Sequence, residues 1–173
     1  MKIEYTSLER VSDYWEAVDG VAREGKYLLF TKAPPIEGTE SFVKEIIEKN
    51  WTQFMAIESD RVVGWCDIIP YSYEGCEHTG HLGMAVVSTH RRKGIGEELL
   101  RKAISHSREK GLERIELEVF STNEGAIALY KKLGFQIEGI KKKARKINGI
   151  EHDFIIMALH NLKAEPVASG QRR

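Results

Sequence analysis

One junction constrains this chain more than any other. A strand-like stretch ends at Val86-Val87. Ser88-Thr89-His90-Arg91-Arg92-Lys93-Gly94-Ile95-Gly96 follows, and then a stretch with Leu99, Leu100, Ala103, Ile104 and Ser107 on one helical stripe. A strand that feeds a helix through a short glycine loop belongs in a sheet covered by helices. Glycine lets the backbone take positive φ and approach a ligand closely. The first N–H groups of the helix have no intrahelical partner and carry partial positive charge. A diphosphate at this point would be held by the amides of Arg92 to Glu97, with Arg91, Arg92 and Lys93 adding formal charge. The same pattern also suits a plain turn before a helix, and the motif alone does not separate the two. It is not a P-loop, because no Gly-Lys-Ser/Thr follows at the required spacing, and it lacks the third glycine of the dinucleotide fingerprint.

Size and composition narrow the setting. With 173 residues the chain fits one domain, read as residues 1–162 with a polar tail over 163–173. Lys plus Arg and Asp plus Glu number 26 each, so the net charge is zero, which argues against a general nucleic-acid binder. Cys66 and Cys76 are too few for a disulfide framework and point to a reducing compartment. Met1 to Tyr5 lacks the apolar core of a signal peptide, and no apolar run has the length of a membrane span. A cytoplasmic protein without a membrane partner is the expectation.

Periodicity orders the elements. Lys2–Thr6 alternates as a strand, and Leu8–Glu24 carries Val11, Trp15, Val18 and Ala22 on one helical stripe. Ala33-Pro34-Pro35 interrupts, and Thr39 is the expected cap of a second helix through Lys49 with Phe42, Ile46 and Ile47 inward. Gln53–Glu58 and Arg61–Ile69 read as strands around a Ser59-Asp60 hairpin, and Glu77–Val87 as the strand before the glycine loop. A helix over Gly96–Lys110 stops at Gly111, and Arg114–Phe120 alternates with Ile115, Leu117 and Val119 on one side. Ser121-Thr122-Asn123 can cap a helix that ends at Gly134. Two closing strands, Phe135–Lys143 and Ile150–Leu159, flank Asn148-Gly149, a strong hairpin signal. The fold class is α/β (α+β): a mixed sheet with helices on both faces.

Two blocks then resemble one known family. Arg91-Arg92-Lys93-Gly94-Ile95-Gly96 is similar to the Arg/Gln-x-x-Gly-x-Gly/Ala signature of the GNAT acetyltransferases. Asn123-Glu124-Gly125-Ala126 through Tyr130 to Gly134-Phe135 resembles that family's Asn-x-x-Ala-x-x-x-Tyr-x-x-x-Gly-Phe segment, in the expected order and separation. The resemblance covers about Phe54 to Leu159 and is weak over the first two helices. It implies a sheet splayed open like a V and acetyl-CoA as co-substrate. The diphosphate would sit on Arg92–Glu97, the pantetheine arm along Met84, Ala85 and Val86, with Asn123 across the cleft and Tyr130 near the sulfur. Acetyl transfer needs a donor for the developing oxyanion, which a free strand N–H can be. It also needs an acid for the leaving thiolate, and a phenol with a pKa of ~10 suits. Tyr130 follows Ala126 by one turn on the inward stripe; a core tyrosine bonded to backbone is the competing account.

The acceptor amine must shed a proton, since an amine of pKa ~8 to ~10 is mostly protonated at pH 7. Family members place a carboxylate near the start of the strand before the glycine loop. Here that position corresponds to His81, which can titrate near neutrality or simply make one hydrogen bond. Glu77, His78 and Asp67 are further candidates. Cys66, Cys76, His78 and His81 fit no zinc spacing, so no metal is expected. The closing segment, with Asn148-Gly149, Asp153 and Met157, resembles members that acetylate small molecules and amino acids. Members that act on polyamines and protein N-termini have similar ends, so a protein or peptide N-terminal or lysine acetyltransferase is the alternative within the class, and a CoA-binding sensor or interaction domain without catalysis is the reading from another class. Lys141–Lys146 could attract an acidic acceptor or be a solvated strand edge. Trp65, Tyr71 and Tyr73 could line an acceptor pocket or lie in core and loops. Exposed sheet edges make a homodimer an option.

Overall fold

A computed structural model describes residues 1–160; the expected tail over 163–173 and the end of the expected domain lie outside the described residues. The elements are β1 (Lys2–Tyr5), α1 (Val11–Arg23), α2 (Ile36–Glu48), β2 (Thr52–Glu58), β3 (Arg61–Pro70), β4 (Thr79–Val86), α3 (Ile95–Glu109), β5 (Arg114–Phe120), α4 (Glu124–Lys132), β6 (Gln136–Ile147) and β7 (Ile150–Leu159). Short 3-10 turns precede α1 and follow β4, at Leu8–Arg10 and Ser88–His90.

The strands form one seven-stranded sheet in the order β1-β2-β3-β4-β5-β7-β6. Every neighbouring pair is antiparallel except β4 and β5. Ser59 and Asp60 both take positive φ, 49° and 61°, and so do Asn148 and Gly149, 50° and 81°, as two-residue hairpins of this hand require.

Alternation sorts the side chains onto two faces. Phe54, Cys66, Ile68, Leu82, Ile115, Leu117 and Met157 pack with Leu99, Leu100 and Ala103 of α3 and Tyr130 of α4. Met55, Ile57, Val62 and Trp65 face the other way, onto Tyr14, Val18 and Val21 of α1 and Val43 of α2. Helices therefore cover both faces, as expected. No helix among the described residues is long and apolar enough to cross a membrane.

The second helix departs from expectation. It starts at Ile36, with Pro35 as its N-cap: Pro35 keeps an extended ψ of 144° and its carbonyl accepts from the N–H groups of Gly38 and Thr39, at 2.9 and 3.3 Å. Thr39, the expected cap, lies inside the helix and is buried. Its stripe is correspondingly shifted: Val43 and Ile46 are fully buried, whereas Ile47 is exposed.

Candidate active site

The sheet opens at one place. β4 and β5 pair only at Thr79–Arg114, Gly80–Ile115 and His81–Glu116, after which no backbone pairing joins them. The register with β3 shows which groups of β4 face the opening. Tyr71 N–H donates to Thr79 O and Val87 N–H to Val63 O, each at 3.0 Å. Hydrogen-bonded pairs alternate along an unbroken antiparallel ladder. His81, Gly83 and Ala85 therefore bond β3; the Leu82 N–H completes the last parallel pair with Glu116, and the Leu82 carbonyl and the N–H and C=O of Met84 and Val86 aim at the split. A cleft of about 930 Å³ occupies it, lined from one face by Leu117, Leu129 and Tyr130 and from the other by His81, Leu28 and Phe30.

One end of the cleft is the glycine loop. Gly94 caps α3 with φ 82°, and nothing lies within 4 Å of where a Cβ would stand. The Gly94 carbonyl accepts from the N–H of Glu97 and Glu98, at 3.1 and 3.2 Å. Among the described residues no backbone partner is present for the N–H groups of Arg92, Lys93, Gly94, Ile95 and Gly96. The Arg92 guanidinium has no carboxylate partner among the described residues and lies by Gly125 at the start of α4, its Nη1 3.6 Å from a Cβ placed there. This donor set fits an anion such as a diphosphate.

Two residues expected on the anion are engaged elsewhere. Arg91 donates from both terminal nitrogens to Glu24, at 2.8 and 2.5 Å, and from Nε to Val86 O at 2.8 Å. It also stacks on Tyr27, so it ties the loop after α1 to the splayed strand. Glu97 spends its N–H on the helix turn and its carboxylate on Lys132 and Arg101, which hold it below the usual carboxylate range. Gly96 also has another use than ligand approach: a Cβ there would meet Met84 Cε at 3.3 Å and Leu129 Cδ2 at 3.5 Å, so its smallness seats α3 against β4 and α4.

Across the cleft, Asn123 caps α4, its Oδ1 accepting from Ala126 N–H at 3.3 Å, which leaves the amide NH2 as the end to meet a ligand. Tyr130 is 6% exposed and lines the cleft wall. Burial, helped by nearby Cys66, pushes its phenol well above the ordinary value, so it keeps its proton at neutral pH.

His81 lines the cleft where the strands part, in register with Glu116. Glu116 accepts from Tyr71 Oη at 2.6 Å and pairs with Arg114 at 3.0 Å. Burial pushes its carboxyl up, but Tyr71 and Arg114 outweigh that and hold it below the usual range. Asp67 faces Gly83 across the ladder, its Oδ1 3.0 Å from where a Gly83 Cβ would stand, and burial pushes its carboxyl up to about 7. Glu77 and His78 lie exposed before β4 and outside the cleft lining, with His78 O accepting from Glu113 and Arg114 N–H. Trp65 is core, edge-on to Tyr14 at 5.6 Å, and Tyr73 is exposed. Among the described residues no three His, Cys, Asp or Glu side chains gather as metal ligands would.

The sequence reading missed the run Tyr27-Leu28-Leu29-Phe30, which lines the cleft from the loop after α1. Four bulky residues outside both helical stripes were the available signal. It also missed Glu116 and Glu118. The β5 alternation that buries Ile115, Leu117 and Val119 places both acids on the face opposite α3.

Comparison with known proteins agrees with this geometry. The sequence profile of the Acetyltransferase (GNAT) family matches residues 23–135. A Bacillus subtilis protein provisionally named as the alanine N-acetyltransferase of ribosomal protein bS18 is 33% identical over 119 residues, 68% of this chain and 75% of that one. The L-amino acid N-acetyltransferase AaaT of Escherichia coli is 36% identical over 107 residues, 61% of this chain and 66% of its own. Among solved structures, yncA of Salmonella typhimurium, determined with acetyl-CoA, superposes with a TM-score of 0.87 at 18% identity, covering 98% of each chain.

Proposed function

The chain belongs to the GNAT acetyltransferase family and is an acetyl-CoA-dependent N-acetyltransferase; on that premise we propose that its acceptor is the primary amine of a small molecule and that the β4–β5 cleft is where transfer takes place. The observation that carries this reading is the split after His81 and Glu116, which turns the backbone of Leu82, Met84 and Val86 toward the same cleft as the free amides of Arg92–Gly96 and the side chain of Tyr130.

Acetyl-CoA supplies a thioester: the amine nitrogen bonds to its acetyl carbon, the carbon–sulfur bond breaks, and the proton lost from nitrogen is balanced by one gained at sulfur. The protein's part is binding, orientation and proton placement. The amides of Arg92–Gly96 and the Arg92 guanidinium would hold the diphosphate. The backbone of Met84 and Val86 and the amide of Asn123 would hold the pantetheine arm from either side, whereas Ala85, expected beside them, spends its backbone on β3. The N–H of Met84, the first on β4 beyond the last pair with β5, is a fixed donor for an oxygen that gains negative charge, and it needs no rearrangement to act. Tyr130 holds a proton at its hydroxyl for the departing sulfur. His81 stands where the amine would approach and would take its proton.

The test is release of free thiol from acetyl-CoA with a panel of amino acids, polyamines and N-terminal peptides, repeated with Tyr130→Phe. We expect turnover of a free small amine, and a fall in kcat of about 10² to 10⁴ in the variant with acetyl-CoA binding preserved. Turnover of N-terminal peptides alone would replace the small-molecule acceptor with a protein one. Full activity in Tyr130→Phe would remove the phenol from the chemistry.

A further inference from the structure

Beside the cleft wall, against Leu28, stands a single cation that neither the glycine loop nor Tyr130 accounts for. Arg10, Arg23, Arg61, Arg91, Arg101 and Arg114 each meet a carboxylate. Among the described arginines that do not, Arg108 is exposed on α3 and Arg92 sits in the anion loop. The remaining one is Arg145. It is partly buried, its Nη1 donates to Leu28 O at 2.6 Å, and its guanidinium lies over the Phe120 ring at 5.2 Å. No carboxylate among the described residues pairs with it, and burial lowers its pKa with no acid to offset the shift. Most of its N–H donors are left for something else.

The chain takes trouble to put Arg145 there. Its neighbours in the basic run behave as a strand edge does: Lys141 pairs with Glu118, Lys143 with Glu151, and Lys142 and Lys146 are exposed. Between Lys141–Phe154 and Arg145–His152 the ladder takes four steps along β6 against two along β7. Lys143 has φ 52° in this bulge, and its N–H is clamped on Asp153 Oδ1 at 2.7 Å. Bulges of this kind re-aim side chains beside functional sites. This one takes Arg145 out of the exposed run and onto Leu28, a residue of the cleft wall. The exposed side chains of Leu29 and Phe30 line the same side.

We propose that Arg145 is the receptor for a carboxylate on the acceptor, so that the substrate is a free amino acid with an apolar side chain rather than a polyamine or a peptide N-terminus. This deepens the reading above and rests on it. A guanidinium fork matches a carboxylate in geometry and charge. Stacked on Phe120 and fixed to Leu28 O, it would be pre-organised for that contact. An α-carboxylate held there keeps the adjacent amine within a fixed short reach, while the side chain lies against Leu29 and Phe30. A peptide N-terminus has an amide in place of that carboxylate, and a polyamine brings a second cation.

The experiment compares L-leucine, L-leucinamide and putrescine as acceptors for the wild type, Arg145→Gln and Arg145→Lys, with acetyl-CoA saturating. The wild type should favour leucine over leucinamide in kcat/KM by at least about tenfold. Arg145→Gln should raise the KM for leucine by about tenfold to a hundredfold, leave kcat/KM for leucinamide unchanged, and keep the rise in Tm caused by acetyl-CoA. Arg145→Lys, which keeps the charge and loses the fork, should fall between. If the wild type acetylates leucinamide or putrescine as well as leucine, the carboxylate site is overturned while the acetyltransferase reading stands, and that comparison needs no variant. An equal loss on acid and amide in Arg145→Gln would make the residue a brace for the Leu28 loop and overturn the proposal as well. Absence of turnover on every amine would overturn the acceptor reading itself.

Discussion

Asp67 carries a carboxylate into a partly buried place beside Gly83, where burial raises it to about 7. A carboxyl raised in the folded state binds its proton more tightly folded than unfolded. Its contribution to stability is therefore lost as pH climbs from the ordinary carboxylate range through about 7, and the deficit persists above that. Asp67→Asn should match the wild type at pH 4 and be more stable by ~1 kcal/mol or more at pH 8. Melting temperatures of the two proteins at both pH values check this, and a difference independent of pH would show that the carboxyl is not perturbed in the fold. At this scale the sequence was partly legible. Tyr130 could be set on an inward stripe and Asn123 at a helix start from spacing alone. The engagement of Arg91 could not be read, because its partner Glu24 is 67 positions away and only the fold brings them together. Nor did the basic run reveal which of its members turns inward.

At the scale of the element, the β4–α3 junction shows two glycines with different duties. Gly94 meets no neighbour but has φ 82°, so alanine there costs backbone strain, on the order of 1 kcal/mol. Gly96 lies inside the helix, where alanine is favoured by about 1 kcal/mol. That gain is offset by contact with the flexible end of Met84, 3.3 Å away. Gly94→Ala should therefore be the more destabilised of the two in urea melts, and the reverse order would mean that helix seating, not φ, limits the junction. The junction was legible because strand period, glycine and helix stripe all lie within a few residues of one another. The start of α2 was less so. Pro34-Pro35 reads as a break, yet Pro35 is also the N-cap of the new helix, its carbonyl accepting from Gly38 and Thr39 N–H.

For the whole molecule, the split between β4 and β5 is the structural weak line, since three backbone pairs join the two parts of the sheet. A ligand seated in the cleft touches β4 and α3 on one side and β5 and α4 on the other. Acetyl-CoA at about a hundredfold above its Kd should add ~2.7 kcal/mol, a rise in Tm of roughly 5 to 10 °C for a chain of this length. Thermal melts across a concentration series measure it, and a flat response would mean that the cleft does not take the cofactor.

The sequence by itself determined the element order, the two-faced sheet, the glycine-loop junction and the two blocks that carry the family likeness. All of these are set by short-range backbone geometry and side-chain period, which are written in adjacent residues. The tertiary structure decided where β4 and β5 part and which strand amides the parting exposes. It also decided that Arg91 braces the loop after α1 and that a bulge in β6 brings Arg145 onto the Leu28 carbonyl, behind a residue of the cleft wall. Those outcomes depend on sheet order, register and residues far apart in the chain, and no local pattern encodes them.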